Sequence, residues 1–218
     1  MWQGDSATAW LMPNMTRRER DTPISAVILA GGRGGRLGRD KASVVLGGKT
    51  LLQRVQRLVC GLSDDVIVVV RPNQQLGVRD ARVVTDVRGH AGVMAAMAAG
   101  LVAARHEWSL VVACDMPFIS LDMVTYMLSL RQTYDVVVPR LVVGFEPLHA
   151  LYHKRCLAAL WVALEEGRRR VVSFYETLRV RHVAPPEIAL WDPEGRSFYN
   201  ITTPRDLLQA EAWIEESR

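Results

Sequence analysis

Ile24-Ser25-Ala26-Val27-Ile28-Leu29-Ala30-Gly31-Gly32-Arg33-Gly34-Gly35-Arg36-Leu37-Gly38-Arg39-Asp40-Lys41 is the stretch on which the reading of the whole chain turns. Its first part is apolar, broken only by Ser25 and rich in β-branched residues, which is the pattern of a buried strand. Its second part is a loop with glycines at 31, 32, 34, 35 and 38. Such a loop admits positive φ and leaves backbone amides uncovered by side chains, while Arg33, Arg36, Arg39 and Lys41 add positive charge. Amide donors and cations at the end of a strand are what a polyphosphate requires.

Outward from this stretch, the chain of 218 residues with 49% hydrophobic content suits one α/β domain with a real core. Residues 1–22 mix polar, charged and small side chains without a period and read as a loosely ordered extension before Pro23. The net charge of +4 comes from scattered arginines. Without a basic tract interleaved with aromatics, nucleic acid is not an expected partner. Cys60, Cys114 and Cys156 have no metal-binding spacing and read as reduced thiols. No apolar run approaches the ~20 residues of a membrane span, and Ala7 to Met12 lacks the basic flank and length of a signal sequence. A cytoplasmic protein is expected.

Alternation of elements follows from periodicity. Thr50 reads as the N-cap of a helix carrying Leu51, Leu52, Val55, Leu58 and Val59, and Gly47 to Thr50 as a tight turn before it. Val66 to Val70 is a continuous β-branched run, the mark of a strand covered on both faces. Strands are also expected at Arg82 to Thr85, Trp108 to Ala113 and Asp135 to Pro139, with helices over Val93 to Ala104 and from Ser120 to about Leu130. Further on, the pattern suggests a strand over Leu148 to Tyr152, helices over Arg155 to Glu166 and Val171 to Leu178, and a strand over Arg179 to Val183. A last helix is capped by Thr203 with Pro204 at its first position. This order predicts an α/β, doubly wound, mainly parallel sheet, with ligands at the carboxyl ends of the strands. Gly31, Asp86 and Asp115 all stand just beyond strand ends.

Two familiar phosphate motifs fail on the glycine loop. The dinucleotide pattern GxGxxG finds Leu37 where its third glycine belongs, and a P-loop ending at Gly48-Lys49-Thr50 finds Ser43 at its leading glycine. What the loop does match is LAGGxxxRxGxDK, in Leu29, Ala30, Gly31, Gly32, Arg36, Gly38, Asp40 and Lys41. This pattern resembles the nucleotidyltransferases, and specifically the molybdenum cofactor guanylyltransferases of the MobA type, a resemblance that runs from about Ile24 to Ile214. It implies a Rossmann-like nucleotidyltransferase fold with a nucleotide-binding half, residues 23–120, and an acceptor-binding half, residues 121–218.

The resemblance also implies roles. The backbone of Leu29, Ala30, Gly31 and Gly32 holds the nucleotide, and Arg36 and Lys41 neutralise its phosphates. Fixed cations and amides are suited to that task, because charge builds on the non-bridging oxygens and on the departing pyrophosphate. Asp115 in Cys114-Asp115-Met116-Pro117 matches the family's metal-binding aspartate, a hard oxygen ligand of the kind Mg²⁺ prefers. Lys41, Asp115 and Arg36 are thus the expected catalytic residues. Asp86 matches a second aspartate in nucleotide contact, and Arg71 falls where some members carry a nucleotide-contacting asparagine. A capping or loop role remains the alternative for both aspartates.

For the acceptor, Phe198-Tyr199-Asn200-Ile201-Thr202-Thr203-Pro204 resembles the family's FxNxNTP, with Thr202 in place of the second asparagine. Asn200 and Thr202 are therefore expected at the pterin, together with Arg169 in the run Gly167-Arg168-Arg169-Arg170. Glu146, Pro147 and Leu148 also fall in the second-substrate half. Gly92-Val93-Met94-Ala95-Ala96 departs from the family's GPLAG, which helps to enclose the base. The implied activity is transfer of GMP from Mg-GTP to molybdopterin. A cytidylyltransferase, or a related enzyme with another acceptor, stays open, as does a nucleotide-binding regulator without turnover. The expected state is a monomer or weak homo-oligomer without membrane contact, meeting molybdoenzyme maturation proteins transiently.

Overall fold

The computed structural model describes residues 23–32, 37–38, 40–85 and 92–216. The expected extension, residues 1–22, lies outside these, as do Arg36 and Asp86. Strand β1 (Ser25–Leu29) leads through the glycine loop to a 3-10 turn at Lys41–Ser43 and a small hairpin, β2 (Val45–Leu46) with β3 (Lys49–Thr50). Gly47 and Gly48 turn that hairpin at φ of +54° and +79°. Two successive positive values are what a two-residue loop of this hand needs, and glycine supplies them without strain. Helix α1 (Leu51–Val59) then starts from a reciprocal cap: Gln53 N donates to Thr50 Oγ1 at 3.2 Å and Thr50 N to Gln53 Oε1 at 2.9 Å.

Next come β4 (Asp65–Val70), β5 (Arg82–Thr85), α2 (Val93–Ala103), β6 (Trp108–Ala113), α3 (Leu121–Ser129), β7 (Val136–Leu141), β8 (Gly144–Phe145) and β9 (His149–His153). The chain ends with α4 (Cys156–Glu165), a 3-10 helix at Val171–Thr177, β10 (Val180–Val183), α5 (Pro185–Trp191) and α6 (Pro204–Glu216). The strand order is β10-β7-β9-β6-β1-β4-β5, with β8 attached to β7. Along that path only β9 runs against its neighbours, so the sheet is mainly parallel.

Side chains sort by parity along each strand. Ala26 and Ile28 of β1, Val66, Val68 and Val70 of β4, and Leu110 and Val112 of β6 meet α1, α3 and α5 through Leu52, Val55, Met123, Met127 and Ile188. Val27, Leu29, Ile67, Val69 and Val111 face the other way, onto α2 and α4 through Met94, Met97, Leu101, Leu160 and Ala163. Helices on both faces make the doubly wound architecture expected from the sequence. Gly100 permits the tightest approach of helix to sheet: a Cβ there would stand 2.3 Å from Val27 Cγ1.

The second half differs in detail from the sequence reading. The expected helix over Val171 to Leu178 is a 3-10 helix, and the hairpin strand β8 and helix α5 carry too few residues for a period to register. The two edges of the sheet also differ in chemistry. At the amino edge the buried Asp65 accepts from Ser25 Oγ at 2.6 Å, Arg105 N at 2.8 Å and Arg82 Nη2 at 2.5 Å. Burial pushes its carboxyl up, but these donors outweigh it and hold the group below its usual range. That edge is closed. The carboxyl edge carries the loops with the motif residues.

Candidate active site

Four backbone hydrogen bonds gather the loops of the carboxyl edge. Ala30 N donates to Val69 O at 2.9 Å, Cys114 N to Leu29 O at 3.1 Å, Ala113 N to Leu148 O at 3.1 Å and Ile201 N to Asp115 O at 2.9 Å. The glycine loop, the end of β4, the Cys114-Asp115 turn, the Glu146-Pro147-Leu148 segment and the Asn200 segment thereby share one edge. The sequence reading placed Gly31 and Asp115 on this edge, and backbone pairing is the means; Asp86, its third member, lies outside the described residues.

Lys41 opens the 3-10 turn, and its Nζ lies 2.6 Å from Asp115 Oδ2; the two side chains are 18% and 12% exposed. The lysine stem runs beside Gly32, where a Cβ would sit 3.6 Å from Lys41 Cδ. A Cβ on Gly31 would come within 3.1 Å of Arg71 Cγ. The glycines thus let the loop backbone lie against both cationic side chains with no methyl between. Arg71 reaches Asp40 Oδ2 with Nη2 at 2.8 Å. Beside Asp115, Cys114 is fully buried; burial, and then the Asp115 charge, push its thiol up, so it stays protonated and is no nucleophile.

The expected acceptor residues divide. Asn200 stands one residue from the Ile201–Asp115 link, and its side chain makes one hydrogen bond among the described residues, Nδ2 to Phe198 O at 3.3 Å. Thr202 donates its hydroxyl to Asp206 Oδ2 at 2.9 Å, which leaves its oxygen available only as an acceptor. The same carboxylate takes Thr203 N at 2.7 Å while Asp206 N donates to Thr203 Oγ1 at 3.2 Å, the cap that starts α6 as the sequence predicts. Arg169 is exposed beyond α4 and makes no contact with the Lys41 and Asp115 cluster among the described residues.

Gln74 and His149 escaped sequence reasoning, and Glu146 was placed only by resemblance, in the second-substrate half. Gln74 donates to Asp40 Oδ2 at 2.7 Å and to Ala30 O at 3.0 Å, and accepts from Arg71 N at 2.9 Å. A glutamine in a loop gives no periodic or motif signal. Glu146 is half-buried with no hydrogen bond or ion pair to its carboxylate among the described residues, and burial raises its pKa. His149 on β9 is fully buried with both ring nitrogens unpartnered, its ring edge-on to Phe198 at 5.2 Å between centroids.

A lysine and a carboxylate that neutralise each other beside an amide-rich loop can exchange partners when a phosphate chain and its counter-cation arrive. That chemistry, at the carboxyl edge of a doubly wound sheet, is the chemistry of a nucleotidyltransferase. A model of the MobA-like NTP transferase domain matches residues 26–182, and the chain belongs to that family. The molybdenum cofactor guanylyltransferase of Desulfosudis oleivorans is 36% identical over 198 residues, covering 89% of this chain and 98% of its own length. A probable molybdenum cofactor guanylyltransferase of Pelotomaculum thermopropionicum is 37% identical, covering 89% and 95%. Among solved structures, molybdopterin-guanine dinucleotide biosynthesis protein A of Archaeoglobus fulgidus aligns with a TM-score of 0.78 at 27% identity, over 88% of this chain and 100% of that one. The 2-C-methyl-D-erythritol 4-phosphate cytidylyltransferase of Thermus thermophilus shares the fold, at a TM-score of 0.68 and 23% identity.

Proposed function

We propose that the protein transfers GMP from magnesium-bound GTP to the terminal phosphate of molybdopterin, releasing pyrophosphate. The observation that carries this reading is the 2.6 Å pair of Lys41 and Asp115 beside Gly32, in a chain whose relatives bear that activity in their names. An acceptor phosphate oxygen bonds to the α-phosphorus as the bond to the bridging oxygen breaks, and the electron pair leaves with pyrophosphate. The acceptor is already ionised, so no general base is needed, and the rate comes from alignment and charge.

The backbone of Leu29, Ala30, Gly31 and Gly32 holds the nucleotide, Lys41 and Arg36 neutralise its phosphates, and Arg71 and Asp86 complete the nucleotide half, residues 23–120. Asn200, Thr202 and Arg169 serve the acceptor in the half formed by residues 121–218. Asp115 fits a divalent cation: it is a hard oxygen donor at a strand end, and its Oδ1 takes no hydrogen bond among the described residues. No cluster of three ligating side chains occurs among those residues. Mg²⁺ accepts this, since one or two carboxylates suffice when phosphate oxygens and waters fill its octahedron. Bound there, the ion supplies Lewis acidity to the phosphate oxygens.

No helix of the described residues is long and apolar enough to cross a membrane. The thiols Cys60, Cys114 and Cys156 are free, which supports a reducing, cytoplasmic setting. We expect a monomer or weak homo-oligomer that hands its product to molybdoenzyme maturation proteins. The base is the point to test, because the 92–96 segment departs from the family pattern. Purified protein is incubated with Mg²⁺, molybdopterin and GTP, CTP, ATP or UTP in separate reactions, and pyrophosphate and dinucleotide are measured. Product with GTP is expected. Product with CTP alone reassigns the base, and no pyrophosphate from any of the four refutes the enzyme.

A further inference from the structure

We propose that Gln74 is a positioning residue for the phosphate-binding lysine, acting through Asp40. The inference deepens the proposed transfer reaction and rests on that reading for what Lys41 does. The carboxamide of Gln74 ties its own loop after β4, at Arg71, to both ends of the glycine loop, at Ala30 after β1 and at Asp40 before Lys41. Its amide nitrogen serves two acceptors and its oxygen takes Arg71 N, so one planar group fixes all three at once.

Asp40 is the pivot. Its Oδ1 takes Ala42 N at 3.3 Å, capping the 3-10 turn whose first residue is Lys41, while its Oδ2 takes Gln74 and Arg71. Orienting the Asp40 carboxylate therefore orients the backbone from which Lys41 extends. The lysine head is held by Asp115 in the free protein, but a phosphate chain must draw it away. When that pair opens, the knot of Gln74, Asp40 and Arg71 keeps the base of the lysine in place. Without it, the ammonium gains freedom that must be lost again in the transition state.

The same knot confines Arg71. Its Nη2 donates to Asp40 Oδ2 at 2.8 Å, which fixes the guanidinium at the edge of the nucleotide half. Gln74 can discharge its role only with a donor directed at Asp40. A leucine there removes that donor, and a glutamate sets a carboxylate against the carboxylate of Asp40.

The test compares the native chain with Gln74→Leu, Gln74→Glu, Asp40→Asn and the double variant Gln74→Glu/Asp40→Asn. Steady-state turnover with Mg-GTP and molybdopterin is measured beside nucleotide affinity by calorimetry and the thermal midpoint. A hydrogen bond to a charged group predicts that Q74L lowers kcat by about 10- to 100-fold with the KM for molybdopterin unchanged. Q74E loses more, and D40N in the double variant restores part of that loss, because the asparagine amide can donate to Glu at 74; such coupling is what contacting residues show. If Gln74 only fills its loop, Q74L and Q74E lose alike and D40N adds its own loss to that of Q74E, which overturns the inference.

Should the native chain turn over no GTP, the proposed transfer falls while the inference is judged on nucleotide affinity. GTP, CTP, ATP and UTP are titrated in turn. The nucleotide that binds must do so about 10-fold or more weakly to Q74L. Equal affinity overturns the inference, and absence of binding by all four overturns both.

Discussion

Acid should unfold this protein partly through one residue, His149. Its imidazole is completely buried, neither ring nitrogen has a partner, and burial lowers its pKa from 6.5 to about 4, with the Asp192 charge opposing weakly. A base whose folded pKa lies below its unfolded one contributes stability that is present above the unfolded value and is lost as pH falls toward the folded one. The window is therefore pH 6.5 down to about 4. At roughly 1.4 kcal/mol for each unit of difference, the full loss is about 3 kcal/mol. That is a large share of the ~5–15 kcal/mol available to a domain. Urea titrations followed by tryptophan fluorescence at pH 7, 6, 5 and 4 measure it, with His149→Leu as the control. The carboxylates held low by their partners, Asp65, Asp135, Glu187 and Asp206, act in both proteins and cancel. The variant should match or exceed the native protein at the lower end, and the gap should shift by about 3 kcal/mol in its favour between pH 7 and pH 4. Parallel stability profiles for the two proteins would refute the reasoning.

Lys41→Ala should lower kcat by about 10²- to 10³-fold, the cost of losing one fixed donor at developing charge, with the far-UV circular dichroism unchanged. Asp115→Asn should shift half-maximal activity to higher Mg²⁺, measured by titrating the metal at saturating GTP, because a carboxylate ligand is lost. Gly100→Ala gains about 1 kcal/mol of helix propensity but places a methyl against Val27 Cγ1, so a net loss of about 2 kcal/mol is expected in denaturant titrations. Glu146→Gln should raise the melting midpoint at pH 7: burial raises the carboxyl's pKa, so the native protein is favoured at low pH and loses that advantage as pH rises through the folded value. Below pH 4 the gain should disappear.

The sheet was legible because its central strands are buried on both faces and are therefore continuous apolar runs, as in β4 from Val66 to Val70. Caps were legible because Thr50, Ser120 and Thr203 act within three residues of themselves. The placement of the candidate site residues was legible to the extent that the motif is local: Gly31 and Gly32 follow β1, Lys41 opens the 3-10 turn beyond them, and Asp115 follows β6, which pairs directly with β1. Gln74 was not, since two of its three partners, Ala30 and Asp40, lie more than thirty residues away and only the fold brings them to it. His149 looks in sequence like an ordinary strand residue, and Glu146 is marked only by its place in the second-substrate half. Their buried nitrogens and carboxylate become notable only when no partner arrives. The second half was harder because β8 spans two residues and α5 seven, below the length at which a period can be counted.

The pair of Lys41 and Asp115 explains how the free protein keeps an anion site and a cation site side by side. Either group alone in this partly buried place would be a desolvated charge, and removing one partner of such a pair costs several kcal/mol. Together they are neutral. Mg-nucleotide brings a matching set of opposite charges, phosphates for the lysine and a cation for the aspartate, so the exchange conserves the charge balance and leaves neither side chain bare. Binding nucleotide without metal leaves Asp115 unpaired, and binding metal without nucleotide leaves Lys41 unpaired. The two ligands should therefore bind with positive coupling, of the 1–3 kcal/mol or so typical between linked sites. Calorimetric titration of GTP with and without Mg²⁺ reads that coupling directly. In Asp115→Asn, where Lys41 has no ion-pair partner to give up, metal-free GTP should bind more tightly than it does to the native protein. Weaker metal-free binding by that variant would mean that the pair is not what nucleotide must break.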